Sequence, residues 1–304
     1  MKPLRRLSEI APFLKEKGVC KRVAVACAED QNTLEAVGRA TKEGLIHPLL
    51  FGREIPIREA AQKAGDALDS AELRPCADEG EALAQAVEAV KNGEADILMK
   101  GLVGTDKFLK AVLHKEHGLM RRDAVMSYTC AIELPAYHKL LFVSDTAVLP
   151  FPDLDQKIAM IDYSVEMAHK FGIETPRVAL IGASEKVSPH FPNSIDYALI
   201  SRMNARKQIT GCVIDGPLDI FCACDPESLA IKGVASPLEG DADILIFPSL
   251  EASNAFYKGL MLFAGGELAG LIQGTEKPVV VMSRSETALS KFYCMALACL
   301  VAES

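Results

Sequence analysis

Short apolar runs rich in β-branched residues alternate with longer amphipathic patterns along most of the chain. Apolar runs of this length, separated by helical segments, predict a mostly parallel sheet with helices on both of its faces. The fold class is therefore α/β. The predicted strands are Arg22–Ala28, His47–Gly52, Ala95–Lys100, Ala124–Leu134, Lys139–Ser144, Arg177–Gly182, Ile209–Asp215, Ala242–Phe247 and Pro278–Ser283.

Acidic capping residues mark the start of two of the helical segments. Asp153 with Gln156 three residues later forms a capping-box pattern in front of a helix that is predicted to end at Phe171. Asp78 with Glu81 gives a similar start to a second helix. Both helices lie between predicted strands, as an α/β fold requires.

The length of 304 residues exceeds the size at which one hydrophobic core usually stops growing. We therefore expect two α/β lobes, with a single large α/β domain as the alternative. One lobe is formed by residues 1–123 plus 275–304 and the other by residues 124–274. The tetrapeptide Ala-Asp-Ile-Leu occurs at residues 95–98 and again at 242–245, as two similar halves would produce. No linker-like segment separates the lobes, so we expect them to pack closely around a cleft.

The charge and hydropathy of the chain exclude several classes of partner. A net charge of −8 without a basic cluster argues against binding to nucleic acid or to an anionic membrane. Neither a signal-peptide pattern nor an apolar run of membrane-spanning length occurs, so we expect a cytoplasmic protein.

The cysteines and the glycine motifs give no sign of a metal or a bound cofactor. The nine cysteines lie mostly in apolar segments and are expected to be reduced, buried hydrophobic residues. The pair Cys222 and Cys224 lacks a second pair at zinc-site spacing. The nucleotide-binding patterns for mononucleotides and dinucleotides are also missing. We therefore expect no metal and no bound cofactor.

The segment Met99–Asp106 ends one predicted strand and begins a helix. Gly101 allows the backbone to approach a ligand closely, and the helix that begins near Thr105 points free N–H groups at an anion. Lys100 and Lys110 add positive charge to the same region. These four residues are candidates for substrate binding.

Three further polar segments are expected at the ends of strands. Ser283 and Arg284 follow the last predicted strand, and Arg284 offers a planar fork that can hold two oxygens of a phosphate. Asp215–Leu218 and Glu251–Lys258 are placed at the ends of two other strands. Because carboxyl ends of parallel strands meet at one edge of a sheet, the four segments indicate one anion-binding site.

Taken together, these segments resemble the phosphate acetyl/butyryl transferase family, and most closely its butyryltransferase branch. The resemblance extends from about residue 95 to the C-terminus. It is carried by Lys100-Gly101-Leu102, residues 108–113, Ile209–Leu218, residues 240–245, Asn254, Tyr257-Lys258 and Ser283-Arg284.

The resemblance implies a fold, partners and a reaction. It implies two three-layer α/β/α lobes like those of isocitrate and isopropylmalate dehydrogenases, with coenzyme A bound as a co-substrate in the interdomain cleft. It also implies a homodimer or larger homo-oligomer, no metal or prosthetic group, and an acyl kinase as the next enzyme of the pathway. The expected reaction converts acyl-CoA and phosphate to acyl phosphate and coenzyme A, with butyryl or another short-chain acyl group.

Roles for individual residues also follow from the resemblance. Ser283 corresponds to the family's serine near the thiol and carbonyl, and Arg284 to its phosphate-orienting arginine. Lys110 stands where the acetyl branch has another arginine of the cleft. The remaining substrate-binding candidates are Ser127, Asp215, Asn254, Tyr257 and Lys258.

The sequence departs from the family pattern at three positions. Ser253 replaces a glycine, Tyr128 replaces a histidine, and Ser290 replaces the aspartate that follows the serine by seven residues in the acetyl branch. The identity of the general base is therefore open. Glu286 is the carboxylate nearest to Ser283 in sequence, and it either acts as the base or caps the N-terminus of the closing helix.

Two other functions compete with acyl transfer. One is a nicotinamide-dependent hydroxyacid dehydrogenase of the same broad fold, although no adenine-binding loop is found. The other is a degenerate family member that binds coenzyme A esters or acyl phosphates without turnover. The departures at Tyr128 and Ser290 are the features that support this second alternative.

Overall fold

The structure is a computed structural model that describes residues 3–65, 70–283 and 286–302. It divides the chain into two compact units. The first unit comprises Leu7–Met126 with Leu268–Ser304, and the second comprises Met1–Arg6 with Ser127–Glu267. The sequence-based boundaries between the lobes are residues 123/124 and 274/275, whereas the units change at residues 126/127 and 267/268. Residues 1–6 are expected in the first lobe, and the structure groups them with the second unit.

The strands of the described residues are short, as in most α/β proteins. In chain order they are β1 (Lys21–Ala26), β2 (Ile46–Gly52), β3 (Glu72–Pro75), β4 (Ile97–Lys100), β5 (Ser127–Glu133), β6 (Leu141–Ser144), β7 (Arg177–Ile181), β8 (Val213–Leu218), β9 (Ile244–Ile246), β10 (Glu267–Gln273) and β11 (Val279–Val280).

Helices separate most of these strands. In chain order they are α1 (Ile10–Glu16), α2 (Gln31–Lys42), α3 (Glu54–Lys63), α4 (Glu79–Lys91), α5 (Thr105–Val112), α6 (Leu154–Lys170), α7 (Pro192–Ala205), α8 (Ile220–Cys224), α9 (Pro226–Lys232), α10 (Leu250–Phe263) and α11 (Ala288–Val301).

The sheet of the first unit has the strand order β3-β2-β1-β4-β11-β10. Its first five strands are parallel to one another, and β10 runs antiparallel to β11. Helix α4 packs on β1 and β2, whereas α11 packs on β11 and α2. β4 and β11 are buried along their whole length and β1 is buried from Val23 to Ala26, which is typical of the centre of a parallel sheet.

The sheet of the second unit has the order β5-β6-β9-β7-β8. β5 is antiparallel to β6, and the pairs β6–β9, β9–β7 and β7–β8 are parallel. Helix α6 packs on β5, β6 and β9, and α7 packs on β8. The expectation of an α/β fold with mostly parallel strands is therefore confirmed.

Both sequence-derived helix starts are confirmed. The Asp153 carboxylate accepts a hydrogen bond from the Gln156 N–H, and the Gln156 side chain accepts one from the Asp153 N–H, which completes the capping box of α6. At α4 the Asp78 carboxylate accepts from the Glu81 N–H at 2.9 Å. These contacts satisfy N–H groups that have no partner within the helix.

Two strands are absent from the sequence prediction for different reasons. β3 is a partly exposed edge strand that contains Glu72 and Arg74, so it carries no apolar run. β10 is interrupted by Gly270, a residue that weakens a strand pattern. The Gly270 N–H contacts the Cys294 sulfur at 3.1 Å.

Candidate active site

The Lys100–Leu102 loop follows β4 and approaches the end of β1 closely. A Cβ atom on Gly101 would lie 2.2 Å from the carbonyl oxygen of Cys27, so only glycine fits there. The Gly101 N–H donates to the Ala26 carbonyl at 2.8 Å, and the Leu102 N–H donates to the Cys27 carbonyl at 2.7 Å. The sequence predicted that the backbone at Gly101 approaches a ligand closely, but in the structure it is the end of β1 that it approaches. The N–H groups of Gly101 and Leu102 both donate to carbonyl groups there.

Lys100 is turned inward rather than toward solvent. Its side chain is 5% exposed, and Nζ donates to the carbonyl oxygens of Gly101 and Val103, both at 3.1 Å. The ammonium group therefore stabilises the loop. Lys110 is exposed in the last turn of α5, and the expectation that Lys100 and Lys110 add positive charge to the same region stays a prediction.

The start of α5 keeps its capacity to bind an anion. Its first helical bond is donated by Phe108 to the Gly104 carbonyl at 3.0 Å, and no side chain caps the helix. The N–H groups of the preceding residues, including the exposed Thr105, therefore point beyond the helix end. The anion-binding role expected of this segment stays a prediction.

Ser283 and Glu286, which follow β11 in the sequence, are joined by two hydrogen bonds. Ser283 is exposed, and its N–H donates to Glu286 Oε2 at 3.0 Å, while the Glu286 N–H donates to the Ser283 carbonyl at 3.3 Å. Arg284 lies outside the described residues. Thr287 is the N-cap of α11, since its Oγ1 accepts from the Ser290 N–H at 3.1 Å. The hypothesis that Glu286 caps this helix is therefore wrong.

In the second unit, the segment Glu251–Lys258 lies within α10 rather than at the end of a strand. The Ser253 hydroxyl is fully buried and donates to the carbonyl of Asp145. The Asn254 amide donates to the carbonyl of Thr146 at 3.0 Å. The serine that replaces the family glycine therefore ties the start of α10 to the loop after β6.

Asp145 is a buried carboxylate that the sequence analysis did not select. It follows β6, is 2% exposed, and accepts hydrogen bonds from four backbone N–H groups. Burial raises the pKa of Asp145 to about 6, against the opposing effect of these N–H donors. The donors are Tyr128 at 3.0 Å, Ala147 at 2.8 Å, Val148 at 2.8 Å and Leu149 at 3.3 Å.

Ser127 begins β5 at the same edge of the sheet. The pairing of Thr129 with Ser144 places Ser127 beyond the carboxyl end of β6. Its side chain is fully buried, and within the described part of the chain no protein group bonds to its hydroxyl. A buried hydroxyl without a partner is unusual in proteins, so Ser127 remains a candidate ligand-binding residue.

The other candidates of the second unit are more dispersed. Asp215 lies within β8 and is half-buried, so the expectation that it follows a strand is wrong. Tyr257 is half-buried and Lys258 is exposed, both on α10. The structure therefore brings together Ser127 and Asn254 around the loop after β6, whereas Asp215 belongs to the edge strand.

One group of possible metal ligands occurs among the described residues. Oxygen and sulfur atoms of Glu185, Asp219 and Cys222 lie within 4.8 Å of one another. Lys232 Nζ already pairs with Glu185 at 2.9 Å and with Asp219 at 2.5 Å. The arrangement is therefore accounted for by an ion-pair cluster. In the described ranges, no helix has the length and apolar character needed to cross a membrane.

Comparison with known proteins agrees with this arrangement of motifs. Residues 77–299 match the family model described as Phosphate acetyl/butaryl transferase. The phosphate acetyltransferase of Thermotoga maritima is 39% identical over 98% of this chain and 99% of its own length. The phosphate butyryltransferase of Clostridium acetobutylicum is 40% identical, with the same shares covered.

A solved structure supports the same assignment. The branched-chain phosphotransacylase from Enterococcus faecalis superposes with a TM-score of 0.81 at 30% identity, and the match covers 93% of this chain and 99% of that chain. The resemblance identified from the sequence motifs is therefore confirmed. The chain belongs to the phosphate acetyl/butyryl transferase family of acyltransferases.

Proposed function

We propose that this enzyme transfers a short-chain acyl group between coenzyme A and inorganic phosphate. The observation that carries the proposal is that the family relationship spans nearly the whole chain and includes the loops after β4, β6 and β11. The catalytic candidates follow β11 in the sequence, and the substrate-binding candidates lie in or after β4, at the start of β5, in β8 and in α10. Acyl-CoA and phosphate are the substrates, and acyl phosphate and free coenzyme A are the products.

The proposed reaction is a direct transfer. A phosphate oxygen, held by Arg284 and by backbone N–H groups, attacks the thioester carbonyl, and the hydroxyl of Ser283 donates a hydrogen bond to the developing oxyanion. The tetrahedral intermediate then collapses, the carbon–sulfur bond breaks, and the electron pair leaves with the coenzyme A sulfur. A covalent enzyme intermediate is not needed.

The general base matters more in the reverse direction. Phosphate is already anionic at pH 7, whereas a thiol has a pKa of about 8.5 and must lose its proton before it attacks acyl phosphate. Glu286 is our candidate for this base because its carboxylate is bonded to the backbone of Ser283. Ser290 cannot serve, since its hydroxyl accepts a hydrogen bond from Thr287 and is not basic at pH 7.

A thiol-release assay tests the proposal and defines the acyl group. One methylene changes the free energy by which an enzyme distinguishes two substrates by only ~1–3 kcal/mol. Acetyl-, propionyl-, butyryl- and isobutyryl-CoA should therefore each be assayed with and without phosphate. We expect phosphate-dependent release of free thiol, retained in the presence of a chelator. Binding of acyl-CoA without release would favour the non-catalytic alternative, and oxidation of a hydroxyacid by a nicotinamide would favour the dehydrogenase.

Several properties implied by the family resemblance stay predictions. They are the isocitrate dehydrogenase-like arrangement of lobes with coenzyme A in the cleft, the homo-oligomeric state and the cytoplasmic location. An acyl kinase is also predicted as a neighbour in the pathway, because acyl phosphate is a reactive product that can transfer its phosphoryl group to a nucleoside diphosphate.

A further inference from the structure

Asp145 connects two segments that carry predicted substrate-binding residues. Its carboxylate accepts from the N–H of Tyr128, the residue next to Ser127. Its own carbonyl accepts from the hydroxyl of Ser253, the residue next to Asn254. Ser127 and Asn254 are 127 positions apart in the chain, so neither is fixed relative to the other by local structure.

The loop after β6 is folded around the same carboxylate. Oδ1 of Asp145 accepts from the N–H groups of Ala147 and Val148, both at 2.8 Å, and Oδ2 accepts from Leu149 at 3.3 Å. The end of this loop is joined to α10, because the Leu250 N–H donates to the Pro150 carbonyl at 3.0 Å. Carboxylate, loop and helix start therefore form one connected unit.

The charge of Asp145 is compensated by backbone dipoles. Among the described residues no lysine or arginine forms an ion pair with it, so the four N–H groups carry the compensation. A charged acceptor makes hydrogen bonds roughly twice as strong as a neutral one. Replacing one oxygen by an amide NH₂ would place a donor against N–H donors, and a buried unpaired donor costs free energy.

We infer that Asp145 is a positioning residue of the acyl-transfer site, which holds Ser127 and Asn254 in the geometry that the reaction uses. This inference rests on the proposed function. Asp145 acts through the backbone of Tyr128 and of the Thr146–Leu149 segment, since its carboxylate is buried and occupied by their N–H groups. Small displacements of positioned groups lower rates strongly, so the effect should appear in kcat/KM.

The test compares Asp145→Asn with Asp243→Asn. Asp243 is a matched control because it is also buried, at 6% exposure, and accepts a backbone N–H, that of Arg177 at 2.8 Å. It lies before β9, at the opposite edge of the same sheet, and pairs with Lys139 at 2.7 Å. Both variants should lose thermal stability, so both are assayed well below their own melting temperatures, with butyryl-CoA and phosphate as substrates.

We expect kcat/KM of Asp145→Asn to be at least about tenfold lower than kcat/KM of Asp243→Asn. A smaller difference overturns the inference, because general loss of stability would then explain the effect. If wild-type protein shows no phosphate-dependent thiol release with any acyl-CoA, the proposed function fails and the inference fails with it. An active wild type with an unaffected Asp145→Asn variant refutes the inference alone.

A second variant decides the question if Asp145→Asn does not fold. Ser253→Ala removes the hydroxyl that bonds to the Asp145 carbonyl but keeps the helical backbone. The family pattern has glycine at this position, so the hydroxyl is not needed for the chemistry itself. We expect kcat/KM to fall by at least about threefold, and a smaller change contradicts the inference.

Discussion

The backbone N–H of Ser283 donates a hydrogen bond to the carboxylate of Glu286 at 3.0 Å. Both residues lie between β11 and α11, and the bond holds a carboxylate beside the predicted reactive serine. Because Thr287 caps α11, Glu286 is not needed for the helix start. Two roles are proposed for it, to hold Ser283 in place and to accept a proton.

Glu286→Gln separates these two roles. The glutamine carbonyl can still accept the Ser283 N–H, but the amide cannot accept a proton at pH 7. If Glu286 is the base, kcat for acyl-CoA synthesis from acyl phosphate and coenzyme A should fall by on the order of 10²-fold, with little change in KM for coenzyme A. Stopped-time assays of thioester formation would measure this.

The control for Glu286→Gln is Thr287→Ala. Loss of the N-cap should lower the free energy of unfolding by about 1 kcal/mol and leave kcat unchanged. If Glu286→Gln also keeps kcat within about threefold, the carboxylate serves only the turn. We would then look for the base in the second unit.

Arg284→Lys tests the phosphate-orienting role that the family resemblance assigns to this residue. A lysine ammonium keeps the charge but cannot form the bidentate fork, so kcat/KM should fall by at least about tenfold. Phosphate-dependent thiol release measures the change. The matched control is Arg206→Lys at an exposed arginine next to the end of α7, which should leave the kinetics unchanged. Wild-type kinetics in Arg284→Lys would remove this residue from the site.

Gly101→Ala should lower the free energy of unfolding. The new Cβ would lie 2.2 Å from the Cys27 carbonyl, which forces the loop away from β1. Overpacking of this kind costs about 1–3 kcal/mol, and denaturant unfolding would measure it. Gly104→Ala is the control for stability, because a Cβ at position 104 meets no atom within 4 Å. Equal stability of the two variants would show that the close approach is relaxed in solution.

Glu29→Gln should reveal a pH-dependent contribution to stability. Hydrogen bonds from Arg53, the shortest at 2.6 Å, hold the pKa of Glu29 below its usual range. A lowered pKa in the folded state means that the stabilisation is present above about pH 4.5 and is lost as the pH falls below that value. We expect the melting temperature of Glu29→Gln to lie about 2 °C below wild type at pH 7.

The difference between the two proteins should shrink as the pH falls below about 4.5 and through the lowered pKa of folded Glu29, because the wild-type carboxylate becomes protonated there. Glu54→Gln is the control, since Glu54 pairs with Arg58 at an exposed i, i+4 position on α3. That variant should differ little from wild type at either pH. A constant difference between Glu29→Gln and wild type across this range would contradict the prediction.

Local sequence signals determined a large share of what this protein is. The alternation of apolar runs and helical patterns predicted the α/β fold, and Asp153 with Gln156 predicted the capping box of α6. Both signals act between residues a few positions apart, so they can be recognised without tertiary structure. The motifs around Gly101 and Ser283 identified the family for the same reason, since each is contiguous.

Tertiary structure alone decided how the candidate residues are used. Asp145 bonds to Tyr128, 17 positions away, and to Ser253, 108 positions away, and no local pattern predicts such partners. The Gly101 N–H donates to the last residue of β1, because β1 pairs with β4, a strand more than seventy residues later in the chain. A side chain's partners depend on which strands the fold makes neighbours, and that choice is a property of the whole packed chain.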